Sequence, residues 1–369
     1  MLLSLFSPRI KHVLLGLCAL LLPVVAFAAP PAGYPADYQK IIDGAKKEGK
    51  LVIYTTTDIK NGGPLVKDFE SIYGIKVEYN DKNSTELYNA FISEAAAGGG
   101  TADILWNSAM DLAVKLVNDG YAMQYKSPEA SKIPAWANME DKSWGSTYEP
   151  VAIVYNKRLL QLSEVPKSHA ELTKAMNSNP KLKGKLVTYD PERSGIGFMF
   201  LTNDMKYDKD FWGMCKAMGN GGVKVFTSTG AMMEKISSGE ALLGYNLVGS
   251  YAVMKAKKDP SIGYLYPNDH ALVLSRVLTI PKAAKNPNAA KLFVDYMLSA
   301  RGQKIIANEA DLFSIRGDVT GEYTASGLSK QLGKGAKVIS IDKNTAEYLD
   351  QKKRLDFLNK WQQSMGTKK

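Results

Sequence analysis

Short apolar runs alternate with amphipathic stretches along this chain, and each run stops in a cluster of small polar residues. Leu51-Val52-Ile53-Tyr54 reads as a strand that ends at Thr55-Thr56-Thr57-Asp58. The stretches DYQKIIDGAKKEGK before it and GGPLVKDFESIYG after it read as helices. IKVEYN predicts a second strand. TELYNAFISEAAAG predicts a long helix, since Leu87, Ala90, Phe91 and Ala95 recur at three- and four-residue spacing. Ala102–Trp106 predicts a third strand, followed by Asn107 and Ser108. Strand, helix, strand, helix, strand implies a mainly parallel sheet, and such sheets bind ligands at the carboxyl ends of their strands. The polar clusters occupy those ends. Ordinary helix capping would also place Ser, Thr, Asn and Asp there.

After Trp144 the segment STYEPVAIVYNK predicts a strand crossing into a second lobe. That lobe has its own strands in KLVTYD, VKVFTS and ALLGYN, and the chain returns through HALVLSRVLTIPK. NPNAAKLFVDYMLSARGQKIIANE predicts a helix pair against the first lobe, and the amphipathic tail from Gly321 predicts packing helices. The expected division is a leader over 1–28, a first lobe over 29–147, a second over 148–272, and a return with C-terminal helices over 273–369. The fold class is α/β, two lobes joined by hinge strands.

Two stretches carry candidate chemistry. In YDPERSGIGFMF, a helix starting at Pro191 would enclose Gly195 and Gly197 at a cost of roughly 1 kcal/mol each. A start at Ser194 avoids most of that cost and leaves a hydroxyl and free amides facing an anion. FTSTGAMMEKISSGE repeats the arrangement with Ser228, Thr229 and Gly230, and no Glu or Gln stands where a capping box requires one. Arg276 offers a bidentate grip on a phosphate or carboxylate, or else a surface salt bridge. Asp58, Glu149 and Asp269 could accept from ligand hydroxyls or an amine. Asn246 and Tyr251 follow the strand ALLGY and could line a cleft. Trp106 and Trp144 could stack on a sugar, although burial suits them better.

Composition narrows the classes. Arg9 and Lys11, the apolar run Val13–Val25 and Ala26-Phe27-Ala28 form a cleavable secretory leader. The run is too short to span a bilayer, so the mature chain is expected in the periplasm. Without residues 1–28 the basic residues fall from 47 to 45 against 37 acidic, a net charge of +8. These charges are dispersed, which disfavours nucleic acid and suits small anionic solutes. Cys215 alone survives removal of the leader, so no internal disulfide forms. His169 and His270 without an HExxH or CxxC motif give no zinc site, and no cofactor is expected.

The segments LVIYTTTD, ADILWNSAMD, YEPVAIVYNK, YDPERSGIGF, SSGEALLGYNLVGSYA and KNPNAAKLFVDYMLSARGQKII, in that order, resemble the periplasmic solute-binding proteins of ABC importers, in the ferric-binding-like family. The resemblance implies a type II periplasmic binding fold, a membrane permease as partner, and a monomer that delivers its solute unchanged. The family also includes sugar-phosphate, phosphoglycerate and aminoethylphosphonate binders. Ferric binders carry adjacent tyrosines where this chain has Gly249 and Ser250, with Tyr251 one step later. The resemblance therefore implies an organophosphate or phosphonate, with ferric iron as the alternative. A periplasmic hydrolase using Ser194 or Ser228 with His270 and Asp269 is a remote third reading, lacking a G-x-S-x-G elbow.

Overall fold

The computed structural model describes residues 30–366; the expected leader, with Cys18, lies outside them. Thirteen strands are present among the described residues: β1 (Lys50–Thr55), β2 (Lys76–Asp81), β3 (Ile104–Asn107), β4 (Asn138–Met139), β5 (Ser143–Gly145), β6 (Glu149–Asn156), β7 (Leu186–Tyr189), β8 (Lys224–Phe226), β9 (Leu243–Val248), β10 (Ile262–Leu265), β11 (Ala271–Leu274), β12 (Val277–Thr279) and β13 (Ala336–Val338). They form two mixed sheets. The first runs β2-β1-β3-β12-β5-β4, and the second runs β13-β11-β6-β9-β7-β8 with β10 beside β6.

In the first lobe β1 pairs parallel with both β2 and β3. Parallel neighbours need crossover helices, and these cover the sheet on both faces. That accounts for the unbroken apolar run of β1, whose residues after Lys50 are all buried. Helix Ile59–Tyr73 buries Leu65 and Phe69, and helix Ser84–Ala96 buries Leu87 and Phe91. The long helix starts with a capping box in which Asn83 and Glu86 satisfy each other's backbone amides.

The chain passes between the lobes at residues 146–148 and at Ser275-Arg276. The apolar stretch Ala271–Thr279 thus splits, with β11 pairing against β6 in the second sheet and β12 against β3 in the first. Ser146 and Arg276 tie the two crossings together: Ser146 N and Oγ both donate to the Arg276 carbonyl, at 2.9 and 2.8 Å. Helices Pro287–Leu298 and Ala300–Asn308 pack on the first lobe against Gln39–Glu48 and Ile59–Tyr73.

The tail departs from a set of packing helices alone. Its segment Ala336–Val338 joins the second sheet as β13, parallel to β11. The turn Lys343–Leu349 then packs on helix Met110–Asn118 of the first lobe, and helix Gln351–Ser364 sinks Phe357 and Trp361 into the core of the second. Among the described residues no helix is long and apolar enough to cross a membrane.

Candidate ligand-binding site

The carboxyl ends of β1, β2, β7 and β9 converge on a cavity of about 150 Å³ between the lobes. The first lobe supplies Thr56 and Asp58 after β1, Asp81 to Ser84 at the end of β2, and Ser108 after β3. The second supplies Tyr189, Ile196, Thr227 to Gly230, Val248 and Tyr251, with Arg276 from the crossing between them. Three hydrogen bonds close the lobes around it: Ile196 N to Ser84 Oγ at 3.1 Å, Asp58 N to Tyr251 Oη at 3.3 Å, and Met110 N to Met199 Sδ at 3.2 Å.

Arg276 is the electrostatic centre of this cavity. It is 1% exposed. Its Nε donates to Glu149 Oε1 at 2.8 Å and Nη2 to Glu149 Oε2 at 3.3 Å, while Nη1 donates to Thr57 Oγ1 at 3.0 Å and the Thr56 carbonyl at 3.3 Å. A guanidinium has five N–H donors, so one on Nη2 is left over. Burial pulls the guanidinium pKa down, but the adjacent Glu149 carboxylate outweighs it and the net shift is upward. The Tyr251 ring lies 5.1 Å from Cζ. Burial pushes the Tyr251 hydroxyl up to about 12, against the opposing pull of Arg276.

Hydroxyls and amides share the rest of the cavity with the apolar Ile196 and Val248 and the carboxylates of Asp58 and Asp81. Thr56 Oγ1 donates to Ser108 Oγ at 2.9 Å and accepts from Ser108 N at 2.9 Å. Helix Thr229–Ser237 begins at the cavity, its Ser228 side chain accepting from Ala231 N at 3.2 Å in an ordinary cap. The amides of Thr229 and Gly230 belong to the first helical turn and have no intrahelical partner. Thr229 Oγ1 is committed to Tyr189 Oη at 2.6 Å and Val248 N at 3.2 Å. Asp81 stands beside Asp58 with its side chain still open to solvent; partial desolvation and then the Asp58 charge push its carboxyl up to about 6.

The chain matches the model of a family described as bacterial extracellular solute-binding protein over residues 64–326. It belongs to that family. Among solved structures, the solute-binding protein is similar to the substrate binding protein of the ABC transporter from Agrobacterium tumefaciens, at 34% identity and TM-score 0.82, over 86% of this chain and 94% of that one. Two more distant structures share the fold. One is the periplasmic binding protein AfuA from Actinobacillus pleuropneumoniae with exogenous fructose-6-phosphate bound, at 20% identity and TM-score 0.71 over 86% and 98% of the chains. The other is iron-bound HitA from Pseudomonas aeruginosa, at 18% identity and TM-score 0.70 over 85% and 99%. The fold is that of the type II periplasmic binding proteins.

The candidate residues read from the sequence divide by position. Thr56, Asp58, Ser108, Ser228, Thr229, Gly230, Tyr251 and Arg276 line the cavity. Thr57 and Glu149 stand behind it and hold Arg276. Thr55 is fully buried, its Oγ1 accepting from Thr57 N, and Asn107 accepts from Ala109 N. Ser194 caps helix Gly195–Tyr207 as expected, accepting from Gly197 N at 3.3 Å and donating to the Thr227 carbonyl at 3.1 Å.

Gly195 faces a neighbouring cavity of about 280 Å³, and a Cβ there would stand 2.7 Å from Leu112 Cδ1. Gly197 is required by Tyr189, whose Cβ would lie 2.4 Å away. Both glycines answer to packing. Asn246 and Asp269 are not brought to the cavity. Asn246 donates to Asp204 at 2.6 Å and Asp269 accepts from the His169 ring at 3.0 Å, within the second lobe. Trp106 and Trp144 are buried at 1% and 0%. Neither serine of the drawn triad contacts His270, which pairs with Asp204.

The sequence reading missed Asp81, Lys82, Asn83, Ser84, Tyr189, Ile196, Thr227 and Val248. A usable signal existed for the first group. Asn83 followed three residues later by Glu86 marks a helix start, and that start faces the cavity.

Proposed function

We propose that this solute-binding protein captures a small anionic organic solute, an organophosphate or phosphonate, in the periplasm and delivers it unchanged to the permease of an ABC importer, acting as a monomer. The observation that carries this reading is Arg276: a fully buried guanidinium with one spare N–H, on the same cavity as the open first turn of helix Thr229–Ser237. Both features favour negative oxygens. The volume limits the guest, since a cavity of about 150 Å³ accommodates a molecule the size of benzene. Compact phosphonates and three-carbon phosphates therefore fit the closed form better than hexose phosphates. Cargo binding to both walls would stabilise the closed population.

Ferric iron is the second reading, supported by the two phenols, Tyr189 and Tyr251, that line the cavity. Burial raises both hydroxyls above the ordinary tyrosine value, which opposes the phenolate form that iron needs. The deciding experiment is a thermal-shift and tryptophan-fluorescence screen of aminophosphonates, phosphoglycerates and sugar phosphates, with ferric citrate alongside. A rise in Tm with an organophosphate or phosphonate, recovered unchanged, is expected. A coloured complex with ferric citrate and no response to any phosphorus compound would replace the reading with iron.

A further inference from the structure

Behind the cleft the second lobe holds a buried polar cluster that solute capture does not use. The imidazoles of His169 and His270 stack with centroids 3.9 Å apart and planes 3° from parallel. His169 Nδ1 lies 3.0 Å from Asp269 Oδ1, and its Nε2 lies 3.7 Å from Asp204 Oδ1. His270 Nε2 lies 3.1 Å from the same Asp204 oxygen. Asp204 Oδ2 accepts from Tyr245 Oη and Asn246 Nδ2, each at 2.6 Å. Both histidines and Asp204 are buried.

The stacking argues against a shared metal ion. Imidazole lone pairs lie in the ring plane, so parallel rings at this separation do not aim them at one point. Protons account for the geometry instead. His169 Nδ1 is within hydrogen-bond distance of one carboxylate and Nε2 within ion-pair distance of a second, an arrangement that favours a proton on both nitrogens. His270 needs only one N–H, on Nε2. A cation stacked on a neutral ring is favourable, whereas two stacked cations repel.

The groups facing His169 come from every neighbouring element. Asp204 and Asp208 belong to helix Gly195–Tyr207 and its C-cap, Asp269 and His270 to the loop before β11, and the Tyr245 ring to β9 at 5.6 Å. Cys215 lies on the Asp204 side as a buried neutral thiol. Beyond them Lys337 sits over the Tyr207 ring, which in turn faces His270.

Asp204 thereby ties together the elements that form the second wall of the cleft. Its helix presents Ile196 to Ser84, β9 ends at Val248, and β11 leads into Arg276. We propose that His169 is an imidazolium held between Asp269 and Asp204 and that loss of its proton, as pH rises, loosens this wall of the cleft. Burial alone would lower the His169 pKa, but Asp269 and Asp204 more than offset it and the net shift is upward. The sign follows: the stabilisation is fully present below the ordinary imidazole value of about 6.5 and is lost as pH rises through the raised value.

Histidine-selective 15N NMR of the full chain tests the charge state. His169 should keep both protons to a higher pH than an ordinary imidazole. A His169 that loses its proton at or below the ordinary imidazole value of about 6.5 overturns the proposal. Amide exchange tests the loosening: protection in β9, corrected for intrinsic rates, should fall about tenfold as pH rises through the observed His169 titration. In His169→Gln it should be low throughout and independent of pH. Protection that stays constant in the native chain, or a variant that matches it, overturns the second half. Should that variant not fold, Asp269→Asn, at the exposed end of the pair, must shift the His169 titration downward; an unmoved titration refutes the pairing.

Discussion

Arg276 Nε lies 2.8 Å from Glu149 Oε1, and this contact joins the crossing at residues 146–148 to the one at Ser275-Arg276. Glu149 opens β6 just after the first crossing, and Arg276 lies in the second. Thr147 completes the link, accepting from Arg276 N at 2.8 Å and donating to Glu149 Oε1 at 2.7 Å. Ser250, on the helix that carries Tyr251, donates to the other Glu149 oxygen. The guanidinium proposed to meet the solute is thus anchored where the chain crosses between the lobes.

Glu149→Gln should therefore move stability and affinity in opposite directions. Removing one partner of a buried ion pair costs about 3–5 kcal/mol, so the denaturant midpoint should fall sharply. The freed guanidinium should bind an anionic solute more tightly, by about tenfold, or about 1.4 kcal/mol. Calorimetric titration with the best phosphorus compound from the screen reads the second effect. Weaker binding in this variant would show that Arg276 is a structural residue only.

Gly195→Val tests closure separately from charge. Even a Cβ at this position would meet Leu112 Cδ1 at 2.7 Å and Ser84 Oγ at 3.0 Å, and both belong to the opposite lobe. The larger side chain should hold the lobes apart and weaken solute binding about tenfold, with little change in the thermal stability of the unliganded protein. Small-angle scattering should show a larger radius of gyration. Native affinity in this variant would mean that the Ser84–Ile196 contact does not contribute to closure.

The polar clusters at strand ends were legible because their cause is local. Ser194 and Ser228 announce helix starts, and the Thr-Thr-Thr-Asp loop ends an apolar run that reads as a strand. What each hydroxyl faces was less legible. Thr55 turns inward and Thr56 outward because successive residues of an extended chain point to opposite sides. Asn246 and Asp269 were misplaced for a different reason. Their partners, Asp204 and His169, lie 42 and 100 residues away, and no local pattern shows those commitments. Gly195 and Gly197 were read as leaving amides free for an anion, whereas the groups that crowd them are Leu112 and Tyr189.

Cys215 should resist thiol reagents in the native protein. It is fully buried, and burial followed by the Asp204 charge pushes its thiol well above the ordinary range, which suppresses the reactive thiolate. Mass spectrometry after prolonged iodoacetamide treatment should show unmodified chain, with labelling only on addition of denaturant. Rapid native labelling would mean that helix Phe211–Asn220 opens readily.

Asp81 should make solute binding depend on pH near about 6. Burial and Asp58 raise its carboxyl to about 6, with Arg276 and Lys60 acting in the other direction. The folded chain therefore holds a proton that the unfolded chain has lost, so this group's contribution to stability declines as pH rises from about 4 to about 6 and then levels off. An anion seated beside Asp81 would raise the carboxyl further and take up a proton on binding. Affinity should then decline as pH rises from about 6 to about 7.5, by at most about tenfold per unit for one proton. Phosphorus acids titrate in the same range, so the informative quantity is the difference between native chain and Asp81→Asn. A shallower pH dependence in the variant is expected for an anionic guest. A cationic group beside Asp81 would reverse the sign of that difference, and identical slopes would place the proton elsewhere.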